Sequence, residues 1–232
     1  MYIVANFKQN KTLQEYEAWL NEFIQNVDWD KTNQDLQIVL APSFPFLIPI
    51  AQQLEGFYEA NQKIRVFLGS QTVSKYENGA HTGEVGSFQI TDFVDYAIIG
   101  HSERRLEGET PEDVNQKIQR CLIDDLTPIV CISKKEEYDA ISVELKNKIL
   151  IAYEPIDAIS TSGVGKPADP ESVEKMAGVL GIPAVIYGGS INSSNIENYL
   201  LKNYIVGFLV GNASLDPIEF TKLISIINKV YE

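Results

Sequence analysis

Apolar residues gather along this chain in short, near-unbroken runs separated by longer mixed segments. The runs are YIVAN (2–6), QIVLAP (37–42), IRVFLGS (64–70), YAIIG (96–100), PIVCI (128–132), ILIAY (149–153), AVIYGG (184–189) and IVGFLVG (205–211). They are rich in β-branched residues and do not alternate with polar ones, as expected for parallel strands covered on both faces. Helix-like segments lie between most of them, for example 13–26, 111–124, 170–180, 193–202 and 216–230. Three open on a polar cap followed by proline: TPED before Val114, DPES before Val173, and DPIE at the last helix.

Eight strands alternating with helices, with no linker or low-complexity boundary, predict one α/β domain over 1–232, a (β/α)8 barrel. A doubly wound open sheet is the competitor. Its dinucleotide fingerprint is missing, since no GxGxxG follows YIVAN and no GxxxxGK[ST] occurs anywhere. In a barrel, chemistry belongs at the C-terminal strand ends. That filter selects Asn6 and Lys8 after the first strand, Gln71 and Thr72 after the third, and His101 and Glu103 after the fourth. It also selects Glu154 after the sixth, Gly188 to Ser190 after the seventh, and Gly211 with Asn212 after the eighth.

Composition narrows the partners. The 232 residues carry a formal charge of −13 and a pI near 4.6, which argues against nucleic acid or an anionic membrane surface as a general partner. An anionic small molecule fits if local donors receive it, and YGGSIN (187–192) and VGNAS (210–214) present free N–H groups after the last two strands. Cys121 and Cys131 sit among apolar neighbours and read as reduced core residues; no zinc site is expected. The N-terminus does not read as a signal peptide. The longest apolar stretch, IVLAPSFPFLIPIA, is broken by three prolines and is too short to span a bilayer, so a cytoplasmic location is expected.

Glu154 and His101 are the candidates for carbon-acid chemistry. A carboxylate removes a proton beside a carbonyl only if the carbonyl oxygen is polarised, which His101, Lys8 and Asn6 can do. The stretches ANFKQN (5–10), TGE (82–84), IIGHSERR (98–105), AYEPIDAI (152–159), YGGSI (187–191) and GFLVGNASL (207–215) fall in order across nearly the whole chain. Together they make the sequence resemble the triosephosphate isomerases. The resemblance implies cofactor-free and metal-free interconversion of dihydroxyacetone phosphate and glyceraldehyde 3-phosphate, a step of glycolysis and gluconeogenesis. It implies that Glu154 is the base and His101 the electrophile, that Asn6 and Lys8 bind near the substrate oxygens, and that Glu103 supports the site from behind. It places Ser160, Ser190, Gly211 and Asn212 at phosphate-contacting positions, with residues 158–162 as the tip of a lid.

Several positions depart from the family pattern. The lid tip reads Ala158-Ile159-Ser160-Thr161-Ser162 where the family usually has Ala-Ile-Gly-Thr-Gly. A serine at positive φ there costs roughly 1 kcal/mol. Asn212 replaces the second glycine of the phosphate turn, and Asn tolerates left-handed geometry. Asp157 and Lys134 replace a tryptophan and a glutamate, which suggests a substitute ion pair worth at most about 1 kcal/mol. The segment between Cys131 and Tyr153 is short, predicting an abbreviated fifth helix and some exposed barrel. Thr72 stands where asparagine is common. The segment 71–86 resembles the family's projection into a partner subunit, with Thr82 approaching the partner's site, so a homodimer is expected. The rival reading is a non-catalytic protein that keeps only the scaffold, recognisable as a folded dimer without turnover.

Overall fold

The computed structural model describes residues 1–155 and 167–230. Its strands are β1 (Tyr2–Asn6), β2 (Gln37–Ala41), β3 (Val66–Ser70), β4 (Tyr96–Ile99), β5 (Thr127–Ile132), β6 (Leu150–Tyr153), β7 (Val185–Tyr187) and β8 (Ile205–Val210). They close into a barrel in sequence order. All pairings are parallel, and β1 seals the barrel by lying between β2 and β8, with Val4 opposite both Val39 and Leu209. The open doubly wound sheet is thereby excluded.

Burial on both faces explains the unbroken apolar runs. Val4, Val39, Ile98, Ile129, Cys131, Ala152, Ile186 and Leu209 form one cluster, which the alternation of side chains along each strand assigns to the barrel interior. Their neighbours Ile3, Ala5, Ile38, Leu40, Ile99 and Val130 join the outer cluster with the helices. Full burial of such a side chain contributes about 1.5–3 kcal/mol, so either face left bare would be costly.

The helices are α1 (Leu13–Asn26), α2 (Leu47–Ala60), α3 (Ser102–Leu106), α4 (Pro111–Ile123), α5 (Lys135–Asp139), α6 (Pro170–Leu180), α7 (Glu197–Leu200) and α8 (Pro217–Val230). The expected start signals act as caps. Thr110 and Asp113 form a capping box with Pro111 in the first turn of α4, Asp169 accepts the Ser172 N–H, and Asp216 accepts the N–H groups of Ile218 and Glu219. Gly181 ends α6 in the left-handed region at φ 66°, where glycine carries no β-carbon penalty.

Three elements differ from the sequence reading. The helix expected over 193–202 shrinks to α7, because Asn192 and Asn195 bind nearby backbone N–H groups and set turns in place of a helix start. Helix α2 begins inside an apolar, proline-broken run; Pro49 is accommodated in its first turn, where backbone N–H groups have no intrahelical acceptor. The fifth helix is short as expected, but the barrel is not laid bare there. Irregular chain supplies Ile141 and Leu145, both buried, while β5 stays buried from Pro128 to Ile132. No helix among the described residues is long and apolar enough to cross a membrane.

Candidate active site

The C-terminal strand ends converge on a cavity of about 470 Å³. Asn6, Lys8, His101, Glu154, Gly188, Ser190, Gly211 and Asn212 all line it, from β1, β4, β6, β7 and β8. The topology brings these distant positions together because every parallel strand delivers its exit to the same rim.

Glu154 leaves β6 with its N–H held by the Ile132 carbonyl at 2.8 Å. Its side chain is only 5% exposed. Oε1 lies 3.4 Å from His101 Nε2, while the buried Oε2 has no hydrogen-bond partner among the described residues. Gly188 walls it in: a β-carbon at 188 would stand 2.7 Å from Glu154 Cγ. Beneath lies Cys131, whose thiol pKa is raised by burial first and by the Glu154 charge second.

His101 caps α3, its Nδ1 accepting the Glu103 N–H at 3.2 Å. In the neutral ring that acceptor role leaves the proton on Nε2, the nitrogen nearer Glu154. The SERR segment is only partly the solvated helix start that its charges suggest. Arg104 pairs with Glu107 on the surface, but Arg105 donates to the carbonyls of Gly100 and Cys131 and ties the ends of β4 and β5 together.

Lys8 donates to Glu103 Oε1 at 2.6 Å. Its backbone N–H donates to Asn6 Oδ1 at 3.1 Å, and its carbonyl accepts from Ser43 Oγ and Gln71 Nε2. Glu103 is absent from the cavity lining and touches it through Lys8 and, at 3.6 Å, His101 Nδ1. Gln71 and Thr72 likewise stand behind the rim. Gln71 braces the carbonyls of Lys8 and Ala41, and Thr72 accepts from Lys117, which is paired with Glu109 in a buried ion pair.

On the far side the cavity is lined by Ser190 and by Gly211, Asn212 and Ala213, the last two opening the turn Asn212–Leu215. The Ser190 carbonyl accepts from Asn195 Nδ2, and Glu219 Oε1 accepts the Ser193 N–H at 2.7 Å, bracing the loop after β7 on α8. Ala168 is gripped by two stacked tyrosines, its N–H donating to Tyr187 and its carbonyl accepting from Tyr199. Among the described residues, four non-glycine positions have positive φ: Lys8, Lys11, Asp125 and Ser190. Two of them line the cavity, where retained backbone strain marks geometry that the surroundings enforce.

Ser160, the lid tip 158–162 and Asp157 lie outside the described residues. The sequence reading overlooked Asp216 and Glu219, which also line the cavity. It treated Cys131 as core alone, without its contact to the carboxylate.

The family model described as triosephosphate isomerase matches residues 1–227. A curated triosephosphate isomerase from Mesomycoplasma hyorhinis is 36% identical over 248 residues, covering 97% of both chains. One from Aquifex aeolicus (strain VF5) is 33% identical over 253 residues, covering 96% of this chain and 97% of the relative. One from Mesomycoplasma hyopneumoniae (strain 7448) is 35% identical over 246 residues, with coverage of 96% and 97%.

Proposed function

This chain belongs to the triosephosphate isomerase family, and from that premise we propose how its rim interconverts dihydroxyacetone phosphate and D-glyceraldehyde 3-phosphate. It is an intramolecular aldose–ketose isomerase. Glu154 removes a proton from the carbon beside the substrate carbonyl and returns it to the neighbouring carbon. His101 Nε2–H and the Lys8 ammonium stabilise the oxygen charge of the enediolate between those steps. Asn6 orients Lys8, and Glu103 holds both Lys8 and His101. The phosphate sits toward Ser190, Gly211 and Asn212, and the chemistry needs no cofactor or metal.

One observation carries the reading: a buried carboxylate oxygen, Glu154 Oε2, without a hydrogen-bond partner among the described residues, in a cavity that also presents the proton-bearing nitrogen of His101 and a lysine. The test is steady-state isomerisation of glyceraldehyde 3-phosphate by the purified protein beside Glu154→Gln. Turnover that drops at least about 10²-fold in the variant supports the assignment of the base. Folded wild-type protein without turnover would give precedence to the scaffold-only reading.

We read residues 1–232 as one barrel domain acting in the cytoplasm, as a homodimer whose contact is the excursion 71–86. Support comes from that segment's exposed tip, where Tyr76 stacks on His81 at 4.0 Å and Tyr76 remains 40% exposed. Sedimentation equilibrium should return twice the chain mass. A monomer at micromolar concentration would remove the contact.

A further inference from the structure

Lys11 is a long cation in the left-handed region, φ 68°, where glycine is the unstrained choice. Its ammonium donates to the Leu215 carbonyl at 2.8 Å, joining the loop after β1 to a residue 204 positions away. Leu215 closes the turn Asn212–Leu215, whose first residue lines the cavity beside Gly211. Its neighbour Asp216 also lines the cavity and is held there by the N–H groups of Ile218 and Glu219.

The charge around the cavity poses a problem for an anionic substrate. Among the described lining residues the carboxylates Glu154, Asp216 and Glu219 face one lysine, Lys8, which is already bonded to Glu103. Lys11 stands just outside the lining and interacts with both Asp216 and Glu15. Burial lowers its pKa, and those two carboxylates oppose that effect. A partly desolvated ammonium bonded to a carbonyl of the turn is a stronger contact than a solvated surface lysine would make.

We propose that Lys11 is a positioning residue for the phosphate end of the substrate: it pins the Asn212–Leu215 turn to the loop after β1 and offsets the Asp216 carboxylate beside the anion. This rests on the reading of the cavity as a triose-phosphate site. Because Lys11 does not line the cavity, it acts through the turn and leaves proton transfer at Glu154 alone. Its effect therefore falls on KM and on competition by inorganic phosphate, with kcat retained.

The experiment compares wild type, Lys11→Gly, Lys11→Met, Lys11→Arg and the double variant Lys11→Met/Asp216→Asn. Steady-state kinetics with glyceraldehyde 3-phosphate, inhibition by inorganic phosphate, and calorimetric phosphate binding are measured on each. Loss of the ammonium should raise KM and weaken phosphate about three- to tenfold, the scale of one partly screened charge contact, with kcat within about twofold. Lys11→Arg should restore both, and Asp216→Asn should recover much of what Lys11→Met loses. Lys11→Gly relieves the positive φ, so a melting temperature at or above wild type alongside the raised KM separates the tether from general stability. Unchanged KM and phosphate affinity in both Lys11→Gly and Lys11→Met would overturn the proposal, as would a fall in kcat that Arg does not rescue. If wild type binds phosphate but does not isomerise, weaker phosphate binding by Lys11→Met upholds the tether while the isomerase reading fails. No phosphate binding by wild type would overturn the tether too.

Discussion

Glu154 is aimed by what residue 188 lacks. A methyl group there would occupy space 2.7 Å from Glu154 Cγ, well inside any real contact, and the carboxylate would have to swing. Gly188→Ala should therefore leave the barrel folded and lower kcat by up to about 10²-fold, the cost of misplacing a reacting group by about an ångström. Kinetics together with thermal melting check it; unchanged kcat would mean that the carboxylate has room to spare. At this scale the sequence showed which residues have chemistry to offer, since Asn6, Lys8, His101 and Glu154 are polar groups at the ends of apolar runs. It did not show how they are held. Gln71 passes for a binding group in sequence but spends its amide on two carbonyls. The strain at Lys8, Lys11 and Ser190 is a backbone property that side-chain identity conceals.

Helix α4 serves as the footing of the excursion 71–86. Lys75 on that excursion reaches Asp113 at 2.5 Å, and Asp113 also closes the capping box with Thr110. The Lys75 hydrogen bond, aided by the Thr110 N–H, holds the Asp113 carboxyl below its ordinary value of 3.8 against a smaller opposing effect of burial. A carboxylate with a depressed folded pKa contributes stability that is present above its unfolded value and disappears as pH falls through the folded one. The stability gap between wild type and Asp113→Asn should accordingly be flat from neutrality to about pH 5 and shrink below 3.8. Urea unfolding at a series of pH values reads it, and a gap independent of pH would remove the ion pair from the account. Elements were legible wherever one signal dominated. The strands announced themselves because both faces are buried, and α4, α6 and α8 because cap and proline agree. The segment around 193–202 failed because asparagines offered the backbone a closer partner than a helix would. Helix α2 was hidden because apolar residues on several sides and a first-turn proline mimic a broken loop.

For the whole molecule, closure of the barrel followed from the number and spacing of its apolar runs, and closure made the site by gathering five strand exits around one cavity. The excess of negative charge, −13 overall, left its anion-receiving corner invisible to composition, because that corner depends on backbone groups and a few placed cations. Closure also sets the fate of the two thiols. Cys121 and Cys131 are free and buried, one packed beneath the helices and one in the barrel interior. Burial drives the Cys121 pKa up to about 12 and raises that of Cys131 as well. Neither offers thiolate at neutral pH, so an alkylating reagent meets a reactive sulfur only when the structure opens. The two positions sample different layers, and their labelling rates become paired clocks. Equal rates that climb with urea at the slope of global unfolding would report a barrel that opens as one unit. A faster Cys121 would report helices that peel away while the interior stays shut, and would show that the outer layer is where this molecule ages first.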